Sequence, residues 1–470
     1  MPDLGEKCGV FGIYGKHNDA SRTTFFGLYA LQHRGQESSG IASTDGERVF
    51  VHKSMGLVPQ VFDEAHMELL KGHSAVGHNR YTTFGSSGIE QAHPIVIEDV
   101  GLSLVHNGNI PVTKKLESFL ASNQIDTKTL SDSQMIAEAV AVPMRQGRTL
   151  PEALQEVFPL ITGAFSLLLM DKQQLVAVRD SHGIRPLSMG KTDDGAVVFA
   201  SETCAFHPTG ITYVRDILPG EMVVADKNGT RSVQIQSGKE QLDIFEFVYF
   251  SRPDSVLLGK SVYEVRKNFG IELAKEFVST ADVVIPVPET SIPVAIGYAK
   301  ASGIPFEMGL IKNRYIHRTF IQPQQNTREQ SAKMKLTPIP EVIRNKHIII
   351  VDDSIVRGTT SRTLISMLYG AGAKKITMLI SSPPVAYPDF YGIDTPKQKD
   401  LLAYQEKSVE GMRTFLGVDE LYFLSYAGLI RSTGLPESSF CTSCFTGNYP
   451  IDIGELSNTV HTLPHWKPKT

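Results

Sequence analysis

Apolar and polar positions follow two different rhythms along this chain. In the first half the apolar residues come in short runs at strand spacing. Residues 8–15 read as a short strand with Cys8 at its head, and residues 163–170, 175–179 and 196–201 read as further strands. Few helical periods interrupt the later runs, which predicts stacked antiparallel sheets flanked by helices. Past residue 241 the rhythm changes. Residues 261–277 carry Val265, Phe269, Leu273 and Phe277 on one helical face. A strand at 283–285, a helix at 292–301, a strand at 348–351, a helix at 361–369 and a strand at 376–380 follow. The four β-branched residues at 348–351 suit a strand buried on both faces, and strand–helix alternation predicts a parallel sheet with covering helices. The short polar stretch 237–241 separates the regimes, so a boundary falls near residue 236 and divides the chain into 8–235 and 236–470.

Composition narrows the class. A chain of 470 residues holds two or three domains. Apolar content of 41%, charged content of 20% and a net charge of −4 describe an ordinary globular protein, with no electrostatic reason to bind nucleic acid or an anionic membrane. No apolar run approaches the roughly 20 residues that span a bilayer. Residues 1–7 lack the apolar core of a signal peptide. Four cysteines in so long a chain make no disulfide framework, so the natural compartment is a reducing cytoplasm.

The chemistry of the second half gathers at strand ends. Asp352 and Asp353 close the 348–351 strand, and Ser354, Arg357, Gly358, Thr359 and Thr360 lead into the next helix. Ligands of parallel sheets bind at the carboxyl ends of strands. N–H groups and hydroxyls at a helix start receive anions, and adjacent carboxylates suit Mg²⁺ or a ribose diol. The pattern points to a phosphorylated sugar. A second loop, with Glu289, Thr290 and Ser291, closes on a helix start and suits a diphosphate. Residues 312–336 carry six Lys or Arg against Glu329 and lack regular periodicity, which predicts a mobile lid over the anion. The string from 348 to 360 resembles the 5-phosphoribosyl 1-diphosphate (PRPP) signature of type I phosphoribosyltransferases. That resemblance implies Mg²⁺ held by Thr290, Asp352 and Asp353, with the 5-phosphate on Thr359 and its neighbouring N–H groups.

In the first half, polar clusters follow Cys8 at 31–41, 77–83, 93–94, 105–109 and 131–133. Together they resemble the glutaminase domain of class II, N-terminal-nucleophile glutamine amidotransferases, over residues 8–235. The family fold is an αββα sandwich. The resemblance implies that Cys8 is the nucleophile and that Asn107 and the Gly108 N–H form the oxyanion hole. It places Arg80 on the glutamine α-carboxylate and Asp132 on the α-amine, with Arg34 and Gly35 in a loop closing over glutamine. It also makes a chemical demand: residues 1–7 must be removed, because only a free α-amine on Cys8 can act as the base.

Cys441 and Cys444 form a C-x-x-C near the C-terminus. Some members of the resembling family hold a structural iron–sulfur cluster on four cysteines, two of them here. The positions of the other two are Asp243 and Asp389 in this chain, so no cluster is expected. Joined, the two resemblances imply glutamine-dependent amination of PRPP to 5-phosphoribosylamine, the step that opens de novo purine synthesis, and the resembling family implies a homotetramer. Sugar-isomerase and ATP-dependent relatives share the first half alone, and a PRPP-sensing regulator would need neither Cys8 nor Asn107.

Overall fold

The computed structural model describes residues 8–15, 19–81, 88–313, 336–392 and 397–463. The 1–7 leader, and residues 314–335 of the basic segment, lie outside the described residues. Among the described residues the first half holds thirteen strands. They are β1 (Gly9–Tyr14), β2 (Ser38–Thr44), β3 (Val49–Met55), β4 (Ser74–Arg80), β5 (Ile95–Ile97), β6 (Leu102–Val112) and β7 (Thr162–Met170). The rest are β8 (Gln174–Arg179), β9 (Ser188–Lys191), β10 (Val197–Ala200), β11 (Thr212–Asp216), β12 (Glu221–Asp226) and β13 (Gly229–Gln234). One sheet runs β11-β9-β10-β1-β4-β2-β3 and the other β13-β12-β8-β7-β6-β5.

Side-chain alternation turns these sheets into four layers. Val10 of β1 and Leu168 of β7 point into the space between the sheets. Phe11 and Ile13 point the other way, beneath the helix Ala20–Ala30. Leu167 and Leu169 point outward beneath the helices Asp132–Arg145 and Leu150–Val157. The result is an αββα sandwich.

In the second half the strands are β14 (Leu242–Asp243), β15 (Val256–Leu257), β16 (Lys260–Ser261), β17 (Val283–Pro286) and β18 (Leu310–Lys312). They continue as β19 (Leu336–Pro338), β20 (His347–Asp352), β21 (Lys375–Ile380), β22 (Glu420–Phe423) and β23 (Phe440–Cys441). The central sheet is β17-β20-β21-β22, parallel throughout. Ile349 and Val351 face the helices Val262–Glu276 and Ile292–Ser302. Ile348 and Ile350 face the helix Thr359–Gly370 on the other side. That double burial is why the strand reads as an unbroken β-branched run. The helix after β20 begins at Thr359, two residues ahead of the periodic stretch, so Thr359 and Thr360 belong to its first turn. β14 pairs in parallel with β23 and ties the end of the described chain to the start of this domain.

Helices Val262–Glu276 and Ile292–Ser302 cross closely through two glycines. A Cβ on Gly270 would lie 1.9 Å from the Val294 carbonyl oxygen, and one on Gly297 2.0 Å from that of Lys267. Gly270→Ala should therefore push the helices apart and cost about 1–3 kcal/mol in denaturant unfolding. Gly370→Ala, at an open position, should be neutral or stabilise by up to about 1 kcal/mol. Equal effects from the two would refute the close-crossing argument.

Candidate functional site

Two cavities lie either side of the contact between the domains. The first, about 300 Å³, opens where β1 starts. Cys8 stands at the head of β1, and antiparallel pairing with β4 sets Arg80 beside it. β6 of the opposite sheet contributes His106 and Gly108. The helix Asp132–Arg145 contributes Asp132 and Ser133 from its first turn, which Ser131 caps by accepting from the Gln134 N–H. Asp132 is held in place by the Ser133 N–H at 2.7 Å and the Ile110 N–H at 3.3 Å. Arg80 donates to Gln91 at 2.7 Å through Nη2.

The Cys8 thiol donates to the Tyr81 carbonyl at 3.8 Å. Burial pushes its pKa up, and Arg80 and Arg34 pull against that shift. A thiol in this state is mostly protonated at neutral pH and needs a base beside it to become a nucleophile. Gly108 has φ of +152°, and a Cβ there would lie 1.9 Å from the Ala164 carbonyl oxygen, so β6 can pass the cavity only with glycine. Asn107, one residue earlier, sends its side chain to the other face, 3.5 Å from the Ser201 hydroxyl.

Arg34 and Gly35 depart from their expected place, for they do not line this cavity. Gly35 is buried against the backbone of Asn79 and Arg80. The Arg34 guanidinium is fully buried behind Cys8. Its Nε donates to the Cys8 carbonyl at 3.2 Å. Nη1 and Nη2 donate to the Glu246 carboxylate at 3.0 and 2.9 Å, and Nη1 also donates to Glu202. Glu202 in turn accepts from the Arg252 N–H at 2.9 Å and the Ser255 hydroxyl at 2.7 Å, and it meets His33 at 2.8 Å. The charge balance drives this geometry: a buried guanidinium needs carboxylates, and the two it finds come one from each domain. Burial opposes ionisation of Glu202, but His33 and Arg34 outweigh it and hold the carboxyl below its ordinary range.

The second cavity, about 430 Å³, sits at the carboxyl ends of β17 and β20. Glu289 and Thr290 line it from the loop after β17, and Asp353 from the end of β20. His33 and Arg34 reach it from the first domain, while Tyr249, Ser251 and Arg252 form a wall. Arg266 braces that wall by donating to the Phe247 and Ser251 carbonyls at 2.7 and 2.8 Å. Ser354, Arg357, Gly358, Thr359 and Thr360 form the turn beyond Asp353 and do not line the cavity. The turn is pinned by Ile355 and Val356, each 1% exposed, and Ser354 donates to Asp353 at 2.7 Å. Ser291 is buried at the start of the next helix. Asp352 and Asp353 are each 2% exposed, and burial raises both carboxyls, with Asp352 adding its repulsion to Asp353. Two adjacent buried carboxylates with this repulsion fit a divalent cation.

At the C-x-x-C the donor set does not fit a cluster. Asp243 meets Arg185 at 3.1 Å, and Asp389 lies 3.8 Å from the same guanidinium. Burial drives the Cys441 thiol up to about 12 and the Cys444 thiol well above its ordinary value. Protonated thiols and carboxylates turned toward arginine are poor iron ligands. Among the described residues, His33, Glu202 and Cys204 do come close enough to share a metal. The oxygens of Glu202 are already taken by Arg34, Arg252 and Ser255.

A glutamine amidotransferase domain model matches residues 78–208, and a phosphoribosyl transferase domain model matches residues 260–383. The chain is 44% identical over 473 residues to the amidophosphoribosyltransferase of Bacillus subtilis, covering 99% of this chain and 97% of that one. It is 48% identical to the amidophosphoribosyltransferase of a Synechocystis species over 454 residues, covering 95% and 92%. The solved structure of the B. subtilis glutamine PRPP amidotransferase complexed with ADP and GMP superposes with a TM-score of 0.88 at 43% identity, covering 98% of this chain and all of that one.

Arg34→Met should strand two buried carboxylates and cost about 3–5 kcal/mol of stability in chemical denaturation. The double variant Arg34→Met/Glu246→Gln should lose less than the sum of its parts, because the second change removes one stranded charge. Glu202 has a depressed folded pKa, so its contribution is present above the ordinary glutamate range and is lost as pH falls through the lower folded value. Strict additivity in the double variant would refute the cluster as the tie between the domains.

Proposed function

The chain belongs to the amidophosphoribosyltransferase family, and from that premise we propose how its two cavities divide one reaction. The enzyme aminates PRPP with the amide nitrogen of glutamine, giving 5-phosphoribosylamine, glutamate and diphosphate, the first step of purine synthesis. The observation that supports the division is that Cys8 lines one cavity and Asp353 the other, while Arg34, which reaches the second, donates to the Cys8 carbonyl.

In the first cavity, Arg80 and Asp132 bind the α-carboxylate and α-amine of glutamine. The Cys8 thiol, activated by its own α-amine once residues 1–7 are gone, attacks the amide carbonyl. The Gly108 N–H takes up the developing oxyanion charge, with the Asn107 amide as second donor once it leaves its long contact with Ser201. Ammonia departs with the proton taken from the thiol, and water hydrolyses the thioester to glutamate. In the second cavity, ammonia displaces diphosphate at C1 of PRPP. Asp352, Asp353 and Thr290 would hold Mg²⁺, which supplies charge neutralisation of the diphosphate as it leaves. Glu289, Thr290 and Ser291 position the diphosphate. Asp352 and Asp353 face the ribose hydroxyls, and the turn from Ser354 to Thr360 receives the 5-phosphate. Lys312 stands at the edge of this cavity, where the basic segment begins.

The four free thiols support a reducing, cytoplasmic setting. No helix among the described residues is long and apolar enough to cross a membrane. We also propose a homotetramer, with neither nucleic acid nor membrane as a partner. At the C-x-x-C we propose protonated thiols and no cluster.

Cys8→Ala, produced without residues 1–7, should lose glutamine-dependent synthesis and keep ammonia-dependent synthesis. Surviving glutamine-dependent turnover would remove Cys8 from the mechanism. Intact-mass analysis of the wild-type protein should show a chain beginning at Cys8. Asp352→Asn should abolish both syntheses while raising the stability of the ligand-free protein by about 1 kcal/mol, since it removes a buried charge. The raised carboxyls also mean that ligand-free stability declines as pH rises from the ordinary aspartate range through the higher folded values. Iron and sulfide assays of purified protein should find neither at stoichiometric level.

A further inference from the structure

The first cavity holds a side chain that the mechanism above does not use. His93 is 7% exposed and lines the same cavity as Cys8 and Arg80. Neither of its ring nitrogens has a hydrogen-bond partner among the described residues. Arg80 Nη1 is likewise buried without a partner there. His106 Nε2, in the same cavity wall, is a third such case, and since a buried polar group left unpaired costs about 1–3 kcal/mol, this cluster points to something that arrives to satisfy it.

The ring is not loose. It packs edge-on against His78, with centroids 4.3 Å apart and planes at 64°. His78 is itself fixed through Nε2, 2.9 Å from the His106 carbonyl oxygen. The main chain either side is also pinned. Lys53 Nζ donates to the Pro94 carbonyl at 3.0 Å, and the His93 carbonyl presses so close to β2 that a Cβ on Gly40 would lie 2.1 Å from it.

The charges around the ring choose its ligand. Burial and the neighbouring His78, His106, Arg80 and Lys53 all disfavour a proton on His93, so the imidazole is neutral and keeps one N–H to donate. The cations near it are Arg80 and Lys53. A neutral donor in a positive field complements an anion. Glutamine carries a single anionic group, its α-carboxylate.

We infer that His93 binds the α-carboxylate of glutamine beside Arg80, donating one ring N–H to the carboxylate while Arg80 donates from its free Nη1. This rests on the reading of the cavity as the glutamine site. It adds a specificity element: an amide lacking the α-carboxylate would leave both buried donors unpaired.

The test compares His93→Leu with His93→Gln, which retains an N–H donor. His93→Leu should raise the glutamine KM by about ten-fold or more while kcat falls by less than about three-fold, and His93→Gln should recover most of the loss in KM. A fall in kcat at constant KM, or no change in either constant, would overturn the inference. A structure of the wild-type, leader-free protein with L-glutamate decides independently of whether the variants fold. It should place a His93 ring nitrogen within hydrogen-bonding distance of an α-carboxylate oxygen. A ring facing the side-chain carboxylate instead would refute the role of His93 and leave the site intact. Glutamate bound away from Arg80 and Asp132 would instead refute the glutamine site itself.

Discussion

Burying a guanidinium costs several kcal/mol unless carboxylates surround it, and the cost shapes how the two domains of this enzyme meet. Arg34 belongs to the first domain and is fully buried. One of its carboxylates, Glu202, comes from the same domain, and the other, Glu246, from the second. Neither domain alone satisfies the charge. The same guanidinium holds the carbonyl of Cys8, and the wall that carries Glu246 also carries Ser251 and Arg252, which line the acceptor cavity. A rigid-body shift of one domain against the other would therefore have to break charge-assisted hydrogen bonds among fully buried side chains. This pins the nucleophile's main chain to the geometry of the acceptor site.

The acceptor side shows the reverse economy. β20 is buried on both faces by isoleucine and valine and ends in two carboxylates that burial leaves strained toward protonation. The strand's apolar burial fixes the carboxylates at the carboxyl end of the parallel sheet, where Asp353 lines the second cavity. A cation bound between them, as proposed above, would offset their repulsion and stabilise the fold by mass action. The first cavity shows the opposite sign, with buried donors at Arg80 and His93 that have no partner among the described residues.

How much of this was legible in the sequence depends on what each feature draws on. The strands read from apolar runs are mostly interior ones, β1, β7, β8, β10, β20 and β21, with β17 at the edge of the parallel sheet. The ones that periodicity passed over include all four edges of the two sheets in the first half, β3, β5, β11 and β13. β13 is mostly exposed, with the sequence Gly-Thr-Arg-Ser-Val-Gln, and an edge needs no apolar stripe. The family resemblance named Cys8, Arg80, Gly108 and Asp132, which line one cavity: Cys8, Arg80 and Asp132 sit at strand or helix ends, and Gly108 lies within β6. It misplaced Arg34, since the partners that fix its side chain are Glu202 and Glu246, far along the chain. No local pattern announces such a pairing. His93 was visible only as half of a His-Pro pair, and its meaning lies in the absence of partners around a buried ring.

The C-x-x-C region is tied into the fold by main-chain pairing and by charge. β14 and β23 pair in parallel and bring Asp243 opposite Cys441. Iron would need four thiolates here, and the chain offers two thiols that burial keeps protonated and two carboxylates set beside Arg185. Arg185 also donates to the Tyr391 carbonyl at 2.8 Å and lies 3.7 Å from Glu246, so the same arginine that gathers these carboxylates reaches the cluster around Arg34. Ion pairs and backbone hydrogen bonds join the C-terminal segments to the interdomain contact directly. The domain interface therefore extends as one buried charge network from the Cys8 carbonyl, through Arg34, Glu246 and Arg185, to Asp243 and Asp389, with no redox-sensitive group needed to hold it.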